Sequence, residues 1–222
     1  MINRRISAII LSGGKATRMD GEKPFRKVNN NYLIENVADV LFNMDIPFIV
    51  VFKYLCNNTN GINNTIKCDI DNQIHIFKKY NQTITFDILN NKGPLIGILS
   101  GMNLVGRGWV LTLPCDTPLI SENSIKNIIN KIPLAESNNC NCIIPKHENG
   151  YIEPLFSIYH KSTIKILEQI IRSSSGDKHP AIRQYIQKLN PLFVPVDEID
   201  ETHKSFVNVN THNDLNKLKK EK

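Results

Sequence analysis

The chain has 222 residues, 41% hydrophobic and 22% charged, enough for one domain with a sizeable core. Its apolar runs are far too short to span a bilayer, and Arg4 and Arg5 before Ile6 lead into no cleavage-type segment, so a cytoplasmic protein without a membrane partner is expected. Lys and Arg number 27 against 21 acidic residues, and the resulting +6 suits a polyanionic small substrate. No basic run interleaved with aromatics points to nucleic acid. Five cysteines, an odd number without a secretion signal, read as reduced thiols. Cys140-Asn141-Cys142 lacks a second pair at ligand spacing and is a weak metal signal.

In chain order, the apolar run Ile6 to Leu11 predicts a buried strand that ends in Ser12-Gly13-Gly14. Two glycines let the backbone turn sharply and approach a ligand, and successive N–H groups in such a turn suit anions. Arg18 and Lys23 add fixed positive charge, which suggests a loop wrapped around a nucleoside triphosphate. The Gly-x4-Gly-Lys-Ser/Thr spacing of a Walker loop is absent. Helical spacing of Leu33, Ile34, Val37, Leu41 and Met44 predicts a helix over 32–44, and Phe48-Ile49-Val50-Val51-Phe52 a second buried strand. That order is a βαβ unit, hence a parallel sheet.

Residues 54–83 are rich in Asn and carry a short helix at 72–80; a third strand follows over 84–88. Gly93-Pro94 opens a helix in which Gly97 and Gly101, one turn apart, permit close packing on the sheet. Trp109-Val110-Leu111-Thr112-Leu113 is an apolar strand running into Pro114-Cys115-Asp116-Thr117-Pro118, where two prolines force the Asp116 carboxylate out at the strand's carboxyl end. Ligands of open α/β sheets bind at that end. A helix is predicted over 121–131 with Ser121 as its cap, then a strand over 142–145. A two-residue Asn149-Gly150 hairpin joins it to an antiparallel strand within 151–159. Helices over 162–172 and 180–188 precede a short strand over 206–211, whose alternation places Asn208 and Asn210 on one face and Val207 and Val209 on the other. A closing helix ends in Lys217, Lys219, Lys220 and Lys222, read as a solvated terminus. No repeat or linker divides the chain, so residues 1–222 are read as a single domain.

Four features converge on one crevice: the glycine loop, Asp87 with the Gly93-Pro94 turn, Asp116, and the Asn208/Asn210 pair. A forced carboxylate facing a phosphate loop is what a Mg²⁺-triphosphate needs, because magnesium takes one or two carboxylates, phosphate oxygens and several waters. Asp87 as a simple strand-end cap, and the asparagines as the polar face of an edge strand, remain open.

Leu11-Ser12-Gly13-Gly14-x3-Arg18-Met19, Gly93-Pro94-Leu95-Ile96-Gly97, Leu113-Pro114-Cys115-Asp116-Thr117-Pro118, Glu153-Pro154-Leu155-Phe156 and Phe206-Val207-Asn208-Val209-Asn210-Thr211 follow one another in that order. Together they resemble the molybdenum cofactor guanylyltransferases across nearly the whole chain. The resemblance implies a three-layer, Rossmann-like α/β nucleotidyltransferase fold with a mostly parallel mixed sheet. It implies transfer of GMP from GTP to molybdenum-carrying molybdopterin with release of pyrophosphate, and contact with other molybdenum cofactor proteins. By the same resemblance Leu11, Ser12, Gly13, Gly14, Lys23, Asp87, Gly93 and Asp116 contact GTP, and Arg18, Lys23 and Asp116 are catalytic. Asp116 holds Mg²⁺, and Asn208 and Asn210 line the pterin side. The polar residue that meets guanine in this family falls on Phe52 or Lys53, and Glu22 stands where an Asp precedes the loop lysine. A cytidylyltransferase for the pterin and a guanylyltransferase for the cobamide precursor are the alternatives.

Overall fold

The computed structural model describes residues 6–12, 23–28, 30–52, 75–87, 93–174 and 181–220. Seven strands form one sheet: β1 (Ile6–Ser12), β4 (Phe48–Phe52), β5 (Thr83–Phe86), β6 (Trp109–Pro114), β7 (Cys142–Lys146), β8 (Ser157–His160) and β9 (Pro191–Pro195). A two-stranded hairpin of β2 (Lys27–Val28) and β3 (Asn31–Tyr32) stands apart. The order across the large sheet is β5-β4-β1-β6-β8-β7-β9. Every described pairing in it is parallel except the two made by β8, which runs antiparallel to β6 and β7. All residues of β4 and β6 are buried, as strands covered on both faces must be.

Helices form the outer layers. On one face α1 (Leu33–Asn43), α3 (Glu122–Ile129) and α4 (Ile132–Ser137) bury Val37, Leu41, Ile125 and Ala135 against Ala8, Ile10, Val50 and Leu111. On the other, α2 (Pro94–Leu104), α5 (Ile164–Ser173) and α6 (Ile182–Ile186) bury Ile98, Leu167 and Tyr185 against Ile9, Leu11, Val51 and Val110. The alternation of β1 residues between the two cores is the period-two geometry of a strand. The chain closes with α7 (His212–Lys220). This is the three-layer α/β arrangement with a mostly parallel mixed sheet.

Several elements differ from the sequence reading. The helix expected over 121–131 stops at Ile129 and restarts as α4 because Pro133, at the restart, lacks an N–H and crowds the preceding turn. Ser121 caps α3 as expected, accepting from the Ser124 N–H at 3.1 Å. The third strand ends at Phe86, and residue 88 lies outside the described residues, as does most of 54–74. Residues 75–80 are a 3-10 turn. The hairpin after β7 has a three-residue loop. His147 N–H donates to Tyr151 O (2.8 Å), Gly150 N–H donates to His147 O (2.9 Å), and Gly150 takes φ +83°. The strand expected over 206–211 is absent: Lys204–Phe206 is a 3-10 turn, and the following segment has no strand ladder. Its Val209 N–H bonds to the Asp116 carbonyl, so Val209 is buried while Val207 stays 42% exposed.

Among the described residues Cys115, Cys140 and Cys142 form no disulfide, and burial pushes the Cys142 thiol up to about 12. A thiol held protonated is a poor metal ligand. Among the described residues no group of three or more His, Cys, Asp or Glu could hold a metal ion. Among the described residues no helix is long and apolar enough to cross a membrane.

The approach of α2 to β1 depends on its two glycines. A Cβ at Gly101 would lie 2.7, 2.8 and 2.9 Å from three side-chain atoms of the buried Ile9. Gly101→Ala is therefore expected to lower stability by about 1–3 kcal/mol despite the better helix propensity of Ala. Gly106→Ala, which meets nothing within 4 Å, should change it little. Urea denaturation of both variants, and of Gly101→Ala combined with Ile9→Val, checks this; the double variant should recover part of the loss.

Candidate active site

Because β1, β4, β5 and β6 are parallel, their carboxyl ends share one edge of the sheet. β1 ends there in Ser12, which is buried and whose Oγ has no hydrogen-bond partner among the described residues. Asp87 follows β5, its N–H donating to Phe52 O at 2.8 Å, and is half-buried. Gly93, at φ +79°, turns the chain into α2, and Pro94 occupies its first turn. A Cβ at Gly97 would sit 2.9 Å from Leu11 Cδ2 and 3.3 Å from Asp87 Oδ1. The bare helix face at Gly97 is thus what lets Leu11, the Asp87 carboxylate and the start of α2 meet. No side chain caps that helix start, whose N–H groups and dipole favour an anion.

Asp116 is held from two sides. Cys115 N–H donates to Leu11 O at 3.1 Å, which carries the β1–β6 ladder past Pro114. Asp116 O accepts the Val209 N–H at 2.8 Å. Thr117 Oγ1 closes the turn onto Pro114 O at 3.1 Å. Asp116 itself is half-buried at the edge. The segment 207–210 crosses beside it as a strap. Val209 anchors the strap in a small cluster with Val28 and Leu33, and Asp214 ties down its end by accepting from Asn210 N–H (2.9 Å) and Thr211 N–H (2.8 Å). Asn208 and Asn210 are both exposed, as the sequence suggests, although no strand presents them.

The structure therefore brings together Leu11, Ser12, Asp87, Gly93, Asp116, Asn208 and Asn210. Gly13, Gly14, Arg18 and Lys53 lie outside the described residues, and Lys23 opens a 3-10 turn, Lys23–Phe25. Phe52 offers the edge no polar group. It is 2% exposed, stacked on Phe25 at 5.9 Å and packed edge-on to Phe77. Of the two positions on which the family's polar base contact falls, Phe52 is thus buried and apolar, and Lys53 lies outside the described residues. The sequence reading gives no role to His147 and Glu153, which the fold brings 2.9 Å apart on the hairpin beyond β7. Burial raises the Glu153 carboxyl above its ordinary range, and the His147 hydrogen bond works against that. The Glu153-Pro154-Leu155-Phe156 motif was the only signal in the sequence that could have led there.

A mostly parallel sheet whose carboxyl edge gathers Ser12, two carboxylates and an uncapped helix start has the site architecture of ligand-binding α/β enzymes. The family model described as "MobA-like NTP transferase domain" matches residues 8–191, and the chain belongs to that family of nucleotidyltransferases. A protein of Methanocaldococcus jannaschii named "Probable molybdenum cofactor guanylyltransferase" is 44% identical over 95% of this chain and 96% of its own length. A Desulfosudis oleivorans protein named "Molybdenum cofactor guanylyltransferase" is 24% identical over 96% of this chain and 93% of its own length. Among solved structures, molybdopterin-guanine dinucleotide biosynthesis protein A from Archaeoglobus fulgidus superposes with TM-score 0.70 at 22% identity, covering 96% of both chains. A cytidylyltransferase from Leptospira borgpetersenii reaches 0.65 at 15% identity, covering 97% of this chain and 85% of its own, so the fold alone does not select the base.

The cap at the strap's end has a pH signature. The Asn210 N–H, with Thr211, holds the Asp214 carboxyl below its usual 3.8. A carboxylate whose folded pKa is depressed stabilises the fold above its unfolded pKa and loses that contribution as pH falls through the folded value. Asp214→Ala is thus expected to cost about 1 kcal/mol at neutral pH, the usual worth of a helix cap. The difference from wild type should fade below about pH 4, read by urea denaturation at stepped pH.

Proposed function

We propose that the chain, acting as a single nucleotidyltransferase domain in the cytoplasm, transfers GMP from GTP to the phosphate of molybdenum-carrying molybdopterin. The observation that carries this reading is the double anchoring of Asp116. One neighbour is the end of β1, where the glycine loop begins, and the other is the strap that bears Asn208 and Asn210. One carboxylate is thereby shared between a nucleotide side and an acceptor side. The names of the curated relatives support guanylyl transfer over cytidylyl transfer or a cobamide acceptor.

In this reading an acceptor phosphate oxygen attacks the α-phosphorus of GTP. A new P–O–P link forms, the bond to the β-phosphate breaks, and pyrophosphate departs. Such transfer depends on positioning and on stabilising charge at the non-bridging oxygens. In the same reading Leu11, Ser12, Gly13, Gly14, Asp87 and Gly93 contact the nucleotide, and Arg18 and Lys23 contribute positive charge for its phosphates. Asn208 and Asn210 line the acceptor.

The donors present fit magnesium. Two half-buried carboxylates, Asp87 and Asp116, and the unpartnered Ser12 Oγ are oxygen donors at one edge. They are too few for an all-protein cage, which suits an ion that keeps phosphate and water ligands. Asp116 would hold it, and when bound the ion offsets negative charge on the triphosphate.

Asp116→Asn, which keeps the backbone bonds of Cys115 and Asp116, is expected to lower kcat/KM roughly 100-fold or more, a loss far larger than any change in the denaturation midpoint. Pyrophosphate release with magnesium and molybdenum-loaded molybdopterin, comparing GTP with CTP, ATP and UTP, measures it. Normal turnover by the variant removes the metal role, and a preference for CTP moves the reaction to the cytidylyl branch.

A further inference from the structure

The pair that the reading above leaves unused is His147–Glu153. β7 runs in the same direction as β6, with β8 between them, so its carboxyl end lies on the edge that carries Asp116. Glu153 is tied to that end by its N–H to Pro145 O at 2.9 Å, and its carbonyl accepts Ser157 Oγ at 2.6 Å. The His147 ring lies 5.9 Å from the Phe206 ring, and Phe206 packs 5.1 Å from Phe156. Two residues further on stands Asn208, whose side chain reaches back towards Phe206 O at 3.5 Å, and the next residue is pinned to Asp116. The pair therefore flanks the strap on the side away from β1, β4 and β5.

The hairpin does not require this pair. Its turn and ladder are closed by the backbone bonds of His147, Gly150 and Glu153. A side-chain hydrogen bond between partners that are 23% and 16% exposed adds little net stability, because desolvation offsets attraction. What the pair does achieve is orientation. Glu153 Oε1 is engaged by His147 Nε2 at 2.9 Å, while Oε2 accepts no hydrogen bond among the described residues and is not sealed from solvent. An anchored carboxylate with one open oxygen selects N–H donors and repels phosphates.

We propose that Glu153, positioned by His147, recognises the acceptor by accepting N–H donors from its heterocycle, the amino-pyrimidinone edge of a pterin. This rests on the acceptor reading above. A carboxylate cannot serve the phosphate end of that acceptor, so it serves the end that carries donors. GTP has the same type of edge on guanine. The pair's place beyond β6, across the sheet from Asp87 and α2, assigns it to the acceptor.

The test is steady-state pyrophosphate release by Glu153→Gln and His147→Leu with GTP and molybdopterin each varied, together with direct binding read by quenching of pterin fluorescence without GTP. Expected for Glu153→Gln is a rise of roughly tenfold or more in the KM for molybdopterin and a matching loss of binding. The KM for GTP and the denaturation midpoint should stay within twofold and unchanged, respectively. His147→Leu should give a smaller rise in the same constant with kcat retained. An unchanged KM for molybdopterin in Glu153→Gln, or equal rises for both substrates, overturns the assignment while leaving the reaction intact. Wild-type protein that neither binds molybdopterin nor releases pyrophosphate with it overturns the acceptor reading itself.

Discussion

The arrangement of this molecule turns on two backbone hydrogen bonds either side of Asp116. Leu11 O accepts from Cys115, and Asp116 O is taken by Val209. The first extends a ladder between two buried parallel strands beyond Pro114, where the ladder would otherwise stop. The second holds a C-terminal strap against a turn formed almost a hundred positions earlier in the chain. Each bond lies at the margin of the core, where an unpaired amide is costly, so each fixes its partner's place firmly. The Asp116 side chain takes part in neither.

That edge is usable only because α2 lies close to β1. Gly101 removes a clash with Ile9, and Gly97 removes one with Leu11 while leaving space for the Asp87 carboxylate. The same small residues thus serve packing and chemistry. Larger side chains would push α2 off the sheet, and the start of the helix would withdraw from the end of β1. Interiors at native density transmit such shifts instead of absorbing them. The anchor of the strap is weaker by comparison, since Val209 shares its cluster with only a few apolar residues, Val28 and Leu33 among them. Polar bonds at the Asp214 cap supplement it.

The central strands and most helices were legible in the sequence because period and burial agree there: Ile6 to Leu11, Phe48 to Phe52 and Trp109 to Leu113 are apolar on both faces. The proline-flanked turn at Asp116 was legible because proline leaves the backbone few choices. Other elements were not. β9 is bounded by Pro191 and Pro195, which argue against a strand, yet it lies at the sheet margin, where proline is tolerated. The strap alternates like a strand but finds its partner in a single carbonyl, a long-range fact that no local pattern records. The His147–Glu153 pair was invisible for the same reason. A three-residue loop, not the two-residue turn implied by Asn149-Gly150, is what brings those side chains together.

Charge along the edge has an order that follows from these placements. The cations of the sequence motif, Arg18 and Lys23, belong to the segment after β1; the carboxylates Asp87 and Asp116 lie at the ends of β5 and β6; neutral Asn208 and Asn210 follow on the strap; and Glu153 stands beyond β7. Phosphates joined to one another need cations and a metal-holding carboxylate, whereas a heterocycle needs neutral amides and acceptors for its N–H groups. A carboxylate such as Glu153 placed among the phosphate-facing groups would oppose binding, and a lysine placed on the strap would draw a triphosphate into the acceptor's position. On the proposed reading, the separation of the two kinds of group by the width of β6 and β8 keeps the nucleotide and the acceptor in a defined order along one edge. The same reading has their reacting phosphates meet at Asp116, whose backbone and that of Cys115 are bonded to the two sides of the edge.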